Sequence, residues 1–408
     1  MKIPGLSDIP GVSAMGGAGS YEVTYDAMYK KYGGFDLPRA GIELNGQQFS
    51  KNKGRMLIND IRVELTSGFE ASVASFRIYN AYTIGDEDEG EASKYMFDNL
   101  KKQAVLGASA KISLGYGEEL IKVFSGFVAS VDFCFSEDEP PYIEVTAMDA
   151  KGIMMASSYA AQIAAKSYGD AVRLILKGVY DKTRSGGIVD KVTVTDTPDK
   201  KPSGGGGKPS AETIEMVSES DYEFVVKAAK KFNYEFFIDR GEMIFRKARS
   251  EERPLTALSS SNGVMFYRLG YSLTGMVERI EVRAMDPGTG KTIVSKDKYN
   301  EKLSVSSKAK ALIKGSRKVY IDPTIFSQEE ADARLESLMT GMSYRLGGLD
   351  CECIGMPDII PGRFMDIAVG SPGDNRFYIT GVVHELDRDG RYRTKLTGSV
   401  DKLKASGV

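Results

Sequence analysis

The chain has 408 residues, and its 54 basic and 56 acidic side chains give a formal net charge of −2. This balance provides no overall attraction toward nucleic acid or an anionic membrane. With one histidine and three cysteines, a His-rich or Cys-rich metal site cannot be built within one chain, and a disulfide framework is not expected.

Residues 1–20 predict a flexible N-terminal arm, because Gly, Ser, Pro and Ala dominate there without a hydrophobic period. The arm lacks the apolar run of a signal peptide. The longest apolar-leaning stretch, Gly152–Ala165, is too short for a membrane-spanning helix. We therefore expect synthesis in a cytosol without a secretory signal.

Residues 21–150 predict a first β-barrel module. Apolar and polar residues alternate at Ile61–Leu65, and one parity is apolar along Ile121–Phe135. A period of two indicates strands with one buried face. Because the second run is longer than a usual strand, we expect a bend at Gly126, followed by a polar turn at 137–141.

Residues 151–250 predict a smaller α/β insert, because the hydrophobic period changes to that of helices. Asp170 is a candidate helix cap, and Ser220–Glu223 is a capping-box pattern that opens a second helix. Residues 234–247 resemble a β-hairpin. The Gly-rich stretch at 197–210 cannot fill a core and predicts a surface loop.

Residues 251–400 predict a second β-barrel module with one helix, at 327–345, and residues 401–408 form a short tail. Alternation predicts its later strands near 349–355, 363–369, 377–385 and 392–399. The chain as a whole is therefore predicted to be mainly β, with two antiparallel β-barrel modules that flank a smaller α/β domain.

Two parts of the sequence are candidates for chemical sites. Gly288–Thr292 resembles the end of a phosphate-binding loop, but Met285 occupies the position of the first required glycine, so 286–290 is better explained as a hairpin turn. The single histidine, His384, lies on a predicted strand without a matched nucleophile. We interpret it as a structural residue.

The remaining candidates also have structural explanations. Cys351 and Cys353 alternate along a strand, so both thiols face one side of the sheet, where small core residues are expected. Asp387 and Asp389 flank Gly390 and predict a polar hairpin tip. The sequence therefore assigns no catalytic, cofactor-binding or metal-ligating residue.

Three further stretches are informative through their order and spacing rather than through any single motif. They are Val123–Val128 with Ile143–Asp149, Ser220–Phe224 with Asn233–Ile238, and Pro361–Arg363 with Tyr378–Asp387 and Gly390–Thr394. In these stretches the chain resembles the baseplate hub proteins of contractile phage tails and phage-like injection systems, the late control gene D family, which is related to the hub part of type VI spike proteins. The similarity spans about 110 to 400.

This resemblance implies a homotrimer in which each chain supplies two tail-tube-like β-barrels. Three chains then present six barrels to the six-fold tail tube and a three-fold face to the spike. The implied partners are the tube or tube-initiator protein and a separate spike protein, with tape-measure and baseplate wedge proteins as further candidates. The protein would be made in the bacterial cytoplasm and become part of a phage virion or of an extracellular particle such as a bacteriocin.

Two other classes of function remain as alternatives. One is a tail-associated enzyme that degrades the cell wall, and the other is a soluble β protein that binds glycans or nucleic acid. The scarcity of histidine argues against the enzyme, and the charge balance does not support a nucleic-acid interface. We therefore expect a structural protein without a cofactor.

Overall fold

The computed structural model describes residues 21–48, 57–79, 105–180, 186–198, 213–286, 289–296, 298–301, 303–325, 327–368 and 376–401. The predicted arm at 1–20, residues 199–210 of the predicted Gly-rich loop and residues 402–408 of the predicted tail lie outside this set. Within it, no helix has the length and apolar character needed to span a bilayer.

Strand residues far outnumber helical residues in the described part of the chain, which confirms the predicted mainly β fold class. Strands form where apolar residues alternate with polar ones, so that one face of each strand packs into a core. They are β1 (Pro38–Leu44), β2 (Gln47–Gln48), β3 (Leu57–Thr66), β4 (Val73–Tyr79), β5 (Ser109–Tyr116), β6 (Glu119–Cys134), β7 (Tyr142–Met148), β8 (Tyr159–Ala164), β9 (Lys191–Val194), β10 (Thr213–Glu219), β11 (Tyr234–Asp239), β12 (Glu242–Lys247), β13 (Ala257–Ser259), β14 (Val264–Tyr271), β15 (Arg279–Met285), β16 (Thr292–Val294), β17 (Arg317–Ile321), β18 (Gly347–Ile354), β19 (Arg363–Ala368), β20 (Arg376–Leu386) and β21 (Tyr392–Val400).

Six α-helices lie within the described part of the chain. Five of them begin after a Ser or Thr whose side-chain oxygen accepts a hydrogen bond from the backbone N–H three residues later, the usual N-cap arrangement. The helices are α1 (Tyr25–Lys31), α2 (Lys151–Met154), α3 (Tyr168–Val179), α4 (Asp221–Phe232), α5 (Ser307–Ile313) and α6 (Gln328–Ser343).

The helix predictions are partly confirmed. Ser220 and Glu223 form the predicted capping box at the start of α4. The cap of α3 is Ser167 rather than Asp170, which lies in the first turn and pairs with Arg173 at 2.7 Å. Helices α1 and α5 were not predicted, because seven residues give only about two turns of periodic pattern.

Thirteen of the described strands form one sheet. Its order is β14-β18-β21-β20-β3-β4-β7-β6-β5-β1-β2, and β19 joins it through β20 while β13 pairs with β19. We call β1–β7 the N-terminal β region, and β13, β14 and β18–β21 the C-terminal β region. Residues Gly381–Leu386 of β20 pair with Ile61–Thr66 of β3. The two β regions are therefore joined by backbone hydrogen bonds across more than 300 residues of sequence.

Three hydrophobic clusters hold the described residues together. The first unites both β regions and includes Phe76, Phe124 and Phe377. The second lies in the insert, where α3 and α4 cover the sheet β11-β12-β9. The third lies within 251–400, where α6 packs on the sheet β16-β15-β17; we call this unit, with α5, the small α/β layer. The sequence did not predict this third core.

Gly126 lies inside the long strand β6, at a close approach between strands. The register irregularities of β6 occur at Val123 and Ala129, on either side of the glycine, rather than at Gly126 itself. A Cβ atom at Gly126 would lie 2.2 Å from the backbone oxygen of Met148. Two bulges therefore replace the predicted single bend, and the glycine allows β7 to pack close to β6.

Candidate assembly surface

His384 is fully buried on β20 and has hydrogen-bond partners for both ring nitrogens. Nε2 lies 3.2 Å from the carbonyl oxygen of Ile359, which can only accept, so this nitrogen carries the proton. Nδ1 lies 3.0 Å from the Tyr392 hydroxyl and 3.1 Å from that of Thr394. Burial lowers the pKa of His384 to about 3. The structure thus supports a neutral structural histidine.

The fold brings Cys353 near this histidine without making a reactive pair. Both residues contact Thr394, since the Cys353 Sγ donates to the Thr394 carbonyl at 3.3 Å. Burial raises the pKa of Cys353 well above its ordinary value and that of Cys351 to about 12. A thiol beside a neutral imidazole is the opposite of the thiolate–imidazolium pair of a cysteine nucleophile. Cys351 and Cys353 are core residues on one face of β18, as predicted.

Acid should destabilise the protein through His384. Between the ordinary histidine pKa of 6.5 and the folded value of about 3, the unfolded chain binds a proton that the folded chain does not. As the pH is lowered from 6.5 to about 3, the free energy of unfolding should therefore fall by about 1.4 kcal/mol for each pH unit. Urea unfolding of the wild type and of His384→Gln across this range tests it, and the variant should show the shallower decline. Parallel curves for the two proteins would contradict the assignment.

The two predicted turns are also structural. Gly290 N–H donates to the Asp286 carbonyl in the hairpin between β15 and β16, which confirms a turn instead of a phosphate loop. Between β20 and β21, the Asp387 carboxylate accepts from the backbone N–H groups of Asp389 and Arg391. The Arg391 side chain then pairs with both carboxylates at 2.8 Å. These acids close a hairpin tip, as predicted.

A pocket of about 290 Å³ opens in the small α/β layer, and its lining mixes apolar side chains with the charged residues Glu278, Glu301 and Lys310. The amide nitrogen of Asn300 in this lining has no hydrogen-bond partner among the described atoms. Its oxygen lies 3.3 Å from the Ser343 hydroxyl, which already donates to Met339 O. Exchanging the amide oxygen and nitrogen lets the nitrogen donate to Ser343. The unpartnered amide nitrogen of Asn300 is therefore no indication of a ligand.

No group of three or more potential metal ligands occurs in the part of the chain that the structure describes. A buried charged cluster instead joins the insert to the C-terminal β region. Glu235, which is 6% exposed, accepts from Arg246 Nε at 2.7 Å and from the Tyr378 hydroxyl. Arg246 also donates to the Gly362 carbonyl at 2.5 Å. Burial raises the pKa of Glu235, while Arg246 and Tyr378 oppose this shift.

A second buried contact joins the insert to the small α/β layer. Lys231 of α4 is 4% exposed, donates to the Thr324 carbonyl at 2.7 Å and lies 3.1 Å from a carboxylate oxygen of Glu330. Buried charges are costly unless they are paired and hydrogen-bonded, and this one has both kinds of partner. These contacts fix the three cores relative to one another, so the outer surfaces present a defined shape.

The outermost strand β14 is the most distinctive of these surfaces. It pairs with β18 alone among the described strands, so no second described strand lies along its other edge. Met265, Phe266 and Tyr267 on this strand are 57%, 56% and 40% exposed. An apolar edge strand is a template for another chain, and soluble proteins usually cover or charge it. We therefore identify β14 as the candidate assembly surface.

Sequence reasoning did not single out this surface. The stretch Val264–Tyr271 is apolar enough to be assigned to a core, and only the sheet order places it at an edge. The available signal is weak: Phe266 and Arg268 share one parity, which is unusual for a fully buried strand.

Comparison with known proteins identifies the fold. No protein-family model matches the chain, and neither does any curated protein. A tail protein from Neisseria meningitidis MC58 is 12% identical with a TM-score of 0.62, over 90% of this chain and 97% of that one. The 43 kDa tail protein of prophage MuSo2 from Shewanella oneidensis is 13% identical with a TM-score of 0.62, over 88% and 98%.

At these identities the likeness establishes the fold and leaves function to be argued from surfaces and contacts. Both alignments extend over nearly the whole of each chain, so they include the two β regions, the insert and the small α/β layer. The tail-protein fold implied by the sequence resemblance is therefore confirmed, and the chain has the fold of these two tail proteins.

Proposed function

We propose that the protein is the structural hub of a contractile tail or injection-system baseplate, and that it adapts the six-fold tube to the three-fold spike. The observation that carries this proposal is the single sheet in which β20 and β3 join two β regions. If each β region is a tube-like module, a homotrimer of such chains presents six β regions to the six-fold tube. A rigid connection is what such an adaptor needs, because it must hold both symmetries at once.

The same proposal assigns no enzymatic activity to the chain. Its only histidine is buried and neutral, and its two core cysteines are held as thiols. The protein then works through shape and contacts as a component of a virion or an extracellular particle. Its partners in this role are the tube or tube-initiator protein and a separate spike protein.

We expect the purified protein to form a trimer, with a mass three times that of the 44.5 kDa chain. Sedimentation velocity measures this mass, and negative-stain images should show a three-fold ring. A protein that stays monomeric at all concentrations and never joins a particle would refute the proposal. Clearing of peptidoglycan by the purified chain in zymography would refute its non-enzymatic part.

The edge strand β14 provides a sharper test of assembly. Phe266→Lys should reduce co-assembly with tube and spike proteins, because a charge on an edge strand opposes strand addition. Leu174→Lys is the matched control, since Leu174 is 54% exposed and Phe266 is 56% exposed. Equal incorporation of both variants into particles, measured by co-sedimentation, would show that β14 is not an assembly edge.

A further inference from the structure

The N-terminal end of the described chain is fixed to the C-terminal β region. The Tyr21 side chain is 5% exposed, and its hydroxyl donates to a carboxylate oxygen of Asp366 at 2.9 Å. The backbone N–H of Val23 donates to the Leu255 carbonyl at 3.0 Å. The arm, residues 1–20, is therefore tethered at a defined point of this region.

The tether point lies near the start of β14. A Cβ atom at Gly263, the residue before β14, would lie 3.1 Å from the Tyr25 ring. Tyr25 is four residues after Tyr21, which is a distance of at most about 14 Å. With the length of the tyrosine side chain and its contact added, the tether point is within roughly 25 Å of Gly263.

The sequence of the arm contains one part that can span this distance and another that can cover a strand. Residues 14–20, AMGGAGS, are Gly-rich and reach up to about 25 Å when extended. Before them, the pattern Ile-Pro-Gly-Leu/Val-Ser occurs twice, at 3–7 and at 9–13. The eleven residues from 3 to 13 are enough to cover the eight residues of β14.

The prolines of the two repeats favour pairing along one edge only. In an antiparallel pair, residues of one parity direct both backbone groups to the partner strand, and residues of the other parity direct them away. Pro4 and Pro10 both have even numbers, so their missing N–H groups cost nothing when the odd residues pair with β14. A strand with outward prolines covers an edge and gives a further strand no continuous edge to join.

We propose that residues 3–13 pair with the edge of β14 that faces away from β18, in their own copy, until an assembly partner takes their place. Because the arm is tethered near the start of β14, it must run back along the strand, which makes the pairing antiparallel. The Ile, Leu and Val side chains of the repeats then cover Met265 and Phe266. The pairing stands by itself, and the displacement rests on the proposed function.

The tether selects the arm of the same copy as the occupant. A segment on a short linker has an effective concentration in the millimolar range. At equal affinity it therefore occupies the edge before a segment of another molecule does. The contact covers an apolar edge strand that would otherwise pair with other chains before assembly.

The composition of the repeats keeps this pairing reversible. Gly5 and Gly11 lose more conformational freedom than other residues when they are ordered in a strand. Each Pro-Gly step also suits a turn, so the unpaired arm has a competing conformation. A partner strand without glycine and proline binds the same edge more tightly and displaces the arm.

Hydrogen–deuterium exchange at 264–271 tests the pairing in the full chain. Ser7→Pro removes an N–H that donates to β14 in this arrangement, whereas Asp8→Pro removes one that points away. Ser7→Pro should therefore speed exchange of the β14 amides that do not face β18 about two- to ten-fold, the effect of one hydrogen bond. Asp8→Pro should leave it unchanged. Equal effects of the two variants would overturn the inference.

A photo-crosslink identifies the occupant of the edge. With p-benzoylphenylalanine in place of Phe266, an aromatic side chain remains at this exposed position. Illumination of the unassembled protein should give an adduct with residues 3–13 at the mass of a single chain. An adduct between two chains, or with another segment of the same chain, would overturn the inference.

Assembly with tube and spike proteins tests the displacement separately. Incorporation into particles should abolish the crosslink to residues 3–13, and Ser7→Pro should co-assemble faster than Asp8→Pro. A crosslink that persists in assembled particles would overturn the displacement. A chain that forms the crosslink but never joins a particle would refute the proposed function and leave the pairing intact.

Discussion

Glu235→Ala should destabilise the protein by about 3–5 kcal/mol, the usual cost of breaking a buried ion pair from one side. The substitution leaves the mostly buried Arg246 guanidinium and the buried Tyr378 hydroxyl without their shared acceptor. Because Glu235 lies between the insert and the C-terminal β region, we also expect the insert to unfold separately. Urea unfolding monitored by far-UV circular dichroism and by tyrosine fluorescence measures both effects, since the chain has no tryptophan.

The matched control for this variant is Arg391→Ala. Arg391 also forms a 2.8 Å ion pair, with Asp387, but its side chain is 60% exposed. An exposed pair contributes about 0–1 kcal/mol because water solvates both charges. If both variants lose the same free energy of unfolding, then the burial of Glu235 does not determine how strongly the insert is held to the C-terminal β region.

Gly126→Ala should cost about 3 kcal/mol, the upper part of the range for overpacking a core. The new methyl group would lie 2.2 Å from the backbone oxygen of Met148, and a backbone atom cannot turn aside as a side chain can. Relief therefore requires β6 and β7 to separate, which weakens the pairing of these strands. The urea midpoint should fall with little change in slope if the folded state stays compact.

Gly348→Ala serves as the control because Gly348 also lies in a strand, β18, and has open space where its Cβ would be. Alanine there should change stability by less than about 0.5 kcal/mol. If both alanine variants lose the same free energy of unfolding, then the closeness of the Met148 backbone oxygen is not what excludes a side chain at Gly126.

Local patterns were reliable where a few adjacent residues determine the structure. The capping box at Ser220 and the hairpin at 234–247 were predicted with nearly the observed bounds, because their hydrogen bonds join residues close in sequence. The structural roles of Cys351 and Cys353 followed from parity along one strand in the same way. The short helices α1 and α5 were missed because their patterns are too brief to stand out.

The tertiary structure decided how these elements combine. Pairing of β3 with β20, the depressed pKa of His384 and the outermost position of β14 among the described strands all depend on residues far apart in sequence. By itself the sequence determined which faces are apolar, where turns occur and which chemistries lack their residues. Periodicity shows that a strand has a buried face, but it does not say which strand lies beside it. Burial, strand order and exposed surface are therefore properties of the whole fold.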